Sequence, residues 1–474
     1  ERRGSEFLLK SIVIESLVTS QKVAVLEDSK LSELLIEDNL NCKTVSNIYR
    51  GVVKKALKGI EAYFVDIGTE KLGYLSMKSN ESIKCGQDIL VQINKEAIGT
   101  KGAKLNTEIS FAGRHLVYIP SNNRLTMSNK IKSEKERFRI KKIVQDIDEE
   151  FTGIIRTEAV GCSKEEIEKD IADLKAKYNY VLKEFKLGMG PKLLYKDLDF
   201  ASKYVKDNVN DNVDKIVVNN NDKYEELKAI LSIVNKEYKD KLVLENNKDV
   251  FDLHSVQTQI DKCLSRKVWL KSGGYLIIDK TEALTVIDVN TGKFTGNSNL
   301  DETVYKTNLE AAVEVARLLR IRDMAGIIIV DFIDMQKNEY KKNLLEILNK
   351  ETLKDKRKIN VMGMTKLGLV EIARRREKDS IDSYYLKECD ICKSGESIKS
   401  IKRLIDEIEK EVMRVREHTS YDNIEIQLNE KVVDDINKNY KSKIDSISGK
   451  YNIKIDLSKK TEIGHEKMNI IFNS

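Results

Sequence analysis

The chain has 474 residues, of which 41% are apolar and 34% charged. That composition excludes a disordered chain and leaves room for two to four domains. No apolar run reaches the roughly 18–20 residues that span a bilayer, and no secretory signal is visible. The 83 basic and 77 acidic residues leave a net charge of +6, so any nucleic-acid surface must be local rather than chain-wide. Six cysteines, mostly scattered (Cys42, Cys85, Cys162, Cys263), suit a reducing cytosol better than a disulfide framework.

Residues 1–7, "ERRGSEF", read as a cloning scar. Residues 8–42 give short strand-like pieces, "SIVIESL" and "KVAVLED". From 46 to 112 five short strands punctuated by glycine predict a small closed barrel such as an OB-fold. "HLVYIP", a helix near 132–148 and the strand "GIIRT" follow. Ser163 and Glu166 form a capping box that opens a helix over 164–186. Residues 190–255 alternate helix and strand. From 256 to 377 the pattern is mixed α/β, with an amphipathic helix at 300–322. A charged helix at 397–416 opens a small C-terminal domain.

In "EALTVIDVNTGKFTG" a buried strand ends with Asp288 and, two residues on, Asn290, so both side chains share a face. In "IIIVDFIDM" a second apolar strand runs into Asp331. The helix between them makes a strand–helix–strand unit, which brings the two strands close in one sheet, with ligands gathering at their carboxyl ends. Two carboxylates at close range repel unless one protonates or a cation sits between them. Hard oxygen ligands on a rigid sheet suit Mg²⁺ or Mn²⁺. A lone Asp ending a strand is more often a turn former or helix cap, but two such strands with the added Asn weigh against that. Asp334 is expected to be secondary or structural.

In the barrel, Phe64 and Tyr74 could stack on bases of single-stranded RNA, or Phe64 could simply be core. Lys95, Lys101 and Lys104 could line a phosphate path. "GTKGAKL" is not a P-loop, because the Gly-Lys-Ser/Thr ending is missing. Cys389 and Cys392 form a C-x₂-C pair. Structural zinc wants four ligands, so one chain offers half a site and two chains would complete it. A redox pair or two unrelated thiols are the alternatives.

Taken together these segments resemble the RNase E/G family of bacterial endoribonucleases, over nearly the whole chain. "SGGYLIIDKTEALTVIDVNTGKFTG" with "TNLEAAVEVARLLRIRDMAGIIIVDFIDM" is similar to the family's catalytic signature. "NIYRGVVKKALKGIEAYFVDIGTEKLGYL" is similar to its OB-fold. "GTKGAKLNTEISFAGRHLVYIP" and "GIIRTEAVG" follow in order. The resemblance implies an α+β multidomain fold. An OB-fold barrel (43–112) is inserted in an RNase H-like domain (8–42 and 190–255). A 5′-sensor region (113–189), a DNase I-like catalytic domain (256–385), a zinc link (386–396) and a small dimerisation domain (397–474) complete it.

The resemblance also implies roles. Asp288 and Asp331 match magnesium ligands, and Asn290 matches a catalytic residue at the scissile phosphate. Arg156 and Thr157 match a 5′-monophosphate pocket, to which Lys358 contributes where the family often has Arg. Phe64, Tyr74 and Lys101 match RNA-gripping barrel residues, with Tyr74 where Phe is common, and Lys95 is expected to bind RNA beside them. Cys389 and Cys392 match a zinc link between subunits, without the family's usual Pro. The implied activity is Mg²⁺-dependent cleavage of single-stranded RNA in mRNA decay and in rRNA and tRNA processing. It would favour 5′-monophosphorylated ends and leave 5′-phosphate and 3′-hydroxyl products. A cytoplasmic homodimer or homotetramer of the shorter RNase G type is expected. A non-catalytic RNA-binding protein would explain the barrel but not the aspartates. A small-substrate phosphatase would explain the aspartates but not the barrel.

Overall fold

The computed structural model describes residues 9–38, 44–57, 59, 61–76, 83–97, 102–234, 236–292, 300–376, 380–388 and 397–472. The chain is mixed α+β and divides into two compact units. One runs over Glu1–Leu40 and Val209–Ser474, the other over Asn41–Asn208.

The inserted unit holds the expected barrel. Strands Ile48–Leu57, Ala62–Asp66, Gly73–Ser76, Lys104–Asn106 and Asp88–Lys95 pair in that order, and Ile48–Leu57 pairs back to Asp88–Lys95 to close it. Tyr63, Val65, Leu75, Val91 and Leu105 point inward. A sixth strand, Lys192–Tyr195, adds to the outside of Ile48–Leu57.

The segment 190–208 therefore belongs with the barrel unit and not with the strands after Val209, where the expected boundary at 190 would put it. The physical reason is Arg50, which is 4% exposed. Its guanidinium donates to the carbonyls of Phe185 (3.1 Å), Met189 (3.3 Å) and Gly190 (2.7 Å). A buried cation thus satisfies a carbonyl of the last turn of helix Lys164–Lys186 and two in the segment after it, and ties that helix to the barrel. The rest of this unit is a four-stranded sheet, in the order Leu125–Met127, Gly153–Ile155, Leu116–Tyr118, Phe111–Ala112. It shares a core with helices Glu134–Ile147 and Lys164–Lys186. The second helix starts at the expected Ser163–Glu166 capping box.

The discontinuous unit contains three larger sheets. The first is five-stranded: Leu242–Leu244, Val213–Val218, Lys10–Ser16, Ser20–Glu27, Lys30–Asp38. The second is six-stranded: Lys267–Trp269, Tyr275–Lys280, Leu284–Asn290, Gly326–Asp331, Val370–Arg374, Ile359–Met364. Helix Leu300–Ile321 joins its two central parallel strands. Ile287 and Val289, with Ile328 and Val330, share one buried cluster with Ala311, Val315 and Leu319 of that helix. Alternation along each strand leaves the opposite sheet face open. The third sheet, with helix Ile401–His418, closes a separate C-terminal core.

A buried ionic network fastens that helix to the hairpin of Lys10–Ser16 and Ser20–Glu27. Lys22, 2% exposed, contacts Glu15 at 2.8 Å and Asp406 at 2.9 Å. Lys410 contacts Glu15 at 2.8 Å and Asp249 at 3.2 Å. Burial opposes each charge, but Asp406 and Glu15 still hold the Lys22 ammonium protonated, and Lys22 with Lys410 pulls the Glu15 carboxyl below its ordinary range.

Candidate active site

The expected pairing of the two aspartate strands is present. Leu284–Asn290 and Gly326–Asp331 run parallel and adjacent, in a register that sets Asp288 directly opposite Asp331. Both lie on the open face and are exposed. Burial first, then Asp288 and Asp334, hold the Asp331 carboxyl above its ordinary range. Among the described residues no Lys or Arg forms an ion pair with Asp288, Asp331 or Asp334. Two carboxylates held in register with no protein cation fit a divalent metal, whose charge would relieve their repulsion. Asn290 donates its amide to Asp288 Oδ2 at 2.8 Å, which orients that carboxylate and leaves the Asn290 carbonyl uncommitted by this bond.

Two supports were not legible as site residues. Asn308, fully buried on helix Leu300–Ile321, donates to the Ile333 carbonyl at 2.7 Å and accepts the Ile333 N–H at 3.1 Å. This clamp fixes the backbone just beyond Asp331. Its only sequence signal was an amide on an apolar helix face. Gly292, with φ +63°, has no room for a side chain, since a Cβ would meet the Gly273 carbonyl at 2.4 Å. The turn after Asn290 therefore requires glycine. Residues 293–299, "KFTGNSN", lie outside the described residues.

The barrel residues form one cross-strand row. Lys55 pairs with Phe64, Phe64 with Tyr74, Tyr74 with Lys104 and Lys104 with Lys95. Their neighbours Tyr63, Val65 and Leu75 are the buried ones, so Phe64 faces outward rather than into the core. The Phe64 and Tyr74 rings meet edge to face, 6.3 Å apart. Lys55 joins this row only because a register shift falls between Val53 and Lys55, so no periodicity announced it. Lys101 lies outside the described residues, as do Cys389 and Cys392.

Arg156 and Thr157 follow strand Gly153–Ile155 in the barrel unit. The Arg156 guanidinium donates to the Gly113 carbonyl at 2.6 Å and, through both terminal nitrogens, to Asp207 at 3.3 and 3.0 Å. The Thr157 hydroxyl lies 3.5 Å from that of Ser128. Lys358 is exposed and belongs to the other compact unit. Nearby in the barrel unit, His115, Cys162 and Glu166 bring ligand atoms within 4.8 Å of one another. His115 Nδ1 and the Cys162 thiol both contact the Glu158 carbonyl, at 2.9 and 3.1 Å. Burial first, then Glu166, pushes the Cys162 thiol up to about 11. Forty-seven residues separate His115 from Cys162, and no spacing motif marks the cluster.

The model of the Ribonuclease E/G family matches residues 110–377. Ribonuclease G of Haemophilus influenzae is 38% identical over 417 residues, covering 83% of this chain and 85% of that protein. Ribonuclease G of Escherichia coli K12 is 37% identical over 434 residues, covering 87% and 88%. Ribonuclease E of a Nostoc species is 35% identical over 391 residues, covering 78% of this chain and 57% of that protein. No described helix is long and apolar enough to cross a membrane. With a match over more than half its length and full-length relatives above 30% identity, the chain belongs to the Ribonuclease E/G family.

Proposed function

We propose that the chain is a Mg²⁺-dependent endoribonuclease acting on single-stranded RNA. The observation that carries this reading is the opposed pair Asp288–Asp331, exposed on an open sheet face with no Lys or Arg paired to it among the described residues. These two side chains would hold the metal. When bound, Mg²⁺ supplies a Lewis acid for the phosphoryl group and lowers the pKa of a coordinated water. Asn290 orients Asp288 and offers its carbonyl to the attacking water. Asn308 keeps the backbone beyond Asp331 in place. Attack at the phosphorus with departure of the 3′ oxygen gives 5′-phosphate and 3′-hydroxyl products.

The row Lys55–Phe64–Tyr74–Lys104–Lys95 suits a single strand, with rings for bases and ammonium groups for phosphates. An RNA-contacting role for Lys101, which lies outside the described residues, belongs to the same reading. Arg156 and Thr157, with Lys358, would read a 5′-monophosphate. Asp207 already holds the Arg156 fork, so an incoming phosphate has to compete with it. The 5′-sensor, RNase H-like and DNase I-like names for the regions belong to this proposal, as does a cytoplasmic role in RNA processing and decay.

Cleavage of a 5′-monophosphorylated, AU-rich single-stranded RNA is expected with Mg²⁺ and not with EDTA. Asp288→Asn should slow it by on the order of a thousandfold, with RNA binding retained. Normal cutting by that variant would remove the catalytic assignment. Cys389 and Cys392 would share zinc with a second copy of the chain. Replacing both by Ser should lower the mass seen by light scattering, and an unchanged mass would refute the link.

A further inference from the structure

The open face of the catalytic sheet carries an aromatic cluster beside the aspartates. Tyr275 pairs directly with Asn290, and Trp269 of the edge strand pairs with Tyr275. The intervening Leu276 and Val268 are buried, so Trp269, Tyr275 and Asn290 line one row on the open side. The Trp269 and Tyr275 rings meet at 5.3 Å. The Lys267 ammonium sits over both rings, 4.1 Å from the Trp269 centroid and 3.7 Å from that of Tyr275. Lys267 in turn pairs with Ile277, and Ile277 with Asp288, so the lysine shares the aspartates' own row.

Trp269 is 62% exposed. A residue of this size gains most from burial, and indole left open on an edge strand is an unspent apolar surface. A cleft of about 880 Å³ opens at this sheet edge against helix Leu300–Ile321; Lys262, Lys267 and Lys271, with Lys30 and Arg317, outnumber its two carboxylates, Glu310 and Glu314. Two inter-strand spacings, about 10 Å, separate the Trp269 strand from that of Asp288 and Asn290. A flat ring, a fixed ammonium and a basic cleft next to a phosphodiester site match a nucleotide flanking the reacting phosphate, since stacking accepts any base and the lysines take its phosphates.

We propose that Trp269, buttressed by Tyr275 and Lys267, stacks on a base adjacent to the scissile phosphate and directs the strand over the sheet edge into the basic cleft. The proposal rests on the reading of Asp288 and Asp331 as the catalytic pair. It makes Trp269 a substrate-positioning residue, contributing to binding rather than to bond breaking.

Trp269 is the chain's single tryptophan, so its fluorescence reports this site alone. The test uses the full chain as Asp288→Asn, which should bind without cutting, and a short 5′-monophosphorylated single-stranded RNA of defined cleavage position. Saturable quenching is expected, and it should be lost when the nucleotide beside the cleavage position is abasic. In the otherwise native chain, Trp269→Ala should raise KM about 5- to 100-fold with little change in kcat, while Trp269→Phe keeps most of the affinity. Equal quenching by the abasic RNA, or an unchanged KM in Trp269→Ala, overturns the proposal and leaves the aspartates' role untouched. Undiminished cleavage by Asp288→Asn would instead overturn the catalytic reading, whatever the quenching shows. A cleft kept for a protein partner would leave both RNA readouts unmoved, which also refutes the proposal.

Discussion

The discontinuous unit holds two groups of carboxylates that are treated in opposite ways. Glu15, Asp249 and Asp406 are buried, and the chain supplies their countercharges from Lys22 and Lys410. Asp288, Asp331 and Asp334 are exposed, and no described Lys or Arg forms an ion pair with them. In the first group burial would be ruinous without partners, so the sequence carries them. In the second, water shields the charge and the chain tolerates a raised Asp331. The buried anion cluster brings its own cations, whereas the facing aspartates have none paired to them among the described residues. That deficit is what a divalent ion can exploit.

The contrast can be tested by moving charges. Lys22→Met strands Glu15 and Asp406 in the interior and should cost about 3–5 kcal/mol, read as a lower urea midpoint. Adding Asp406→Asn to it should recover part of that loss. No loss in the single variant would show that Lys410 alone satisfies the network. At the open site the sign reverses. Asp331→Asn removes repulsion, so the metal-free protein should hold its melting temperature or gain slightly, by less than about 1 kcal/mol. Mg²⁺ is expected to raise the melting temperature of the native chain, and the same variant should forfeit that rise. A destabilised metal-free Asp331→Asn would mean that the carboxylate is structural.

The facing of the two aspartates was legible because local rules sufficed. Apolar runs gave each strand, Leu300–Ile321 gave the crossover, and a parallel register then set Asp288 against Asp331. The barrel was legible from glycine-punctuated strands, and Phe64 with Tyr74 from their placement in it. What escaped depended on distant partners. Lys192–Tyr195 finds its barrel strand some 140 residues away, as the Arg50–Gly190 separation shows. Lys22 lies in a strand buried on both faces, "SQKVAVLE", where a lysine reads as exposed until Asp406 arrives from the C-terminal helix. The exposure of Trp269 is set by the sheet edge and not by its neighbours in sequence, so no local pattern marks it.

The split arrangement has a consequence for the order of assembly on the ribosome. Strand Lys10–Ser16 is made before the inserted unit, yet one of its two neighbours, Val213–Val218, is made after it. The hairpin it forms with Ser20–Glu27 must wait, with that edge open and Glu15 and Lys22 lacking part of their network, while the whole inserted unit is synthesised. An early hairpin with a bare edge is a sticky nascent species. The charges that lock the finished interior are, during that interval, the hydrated groups that keep it from pairing with the wrong strand.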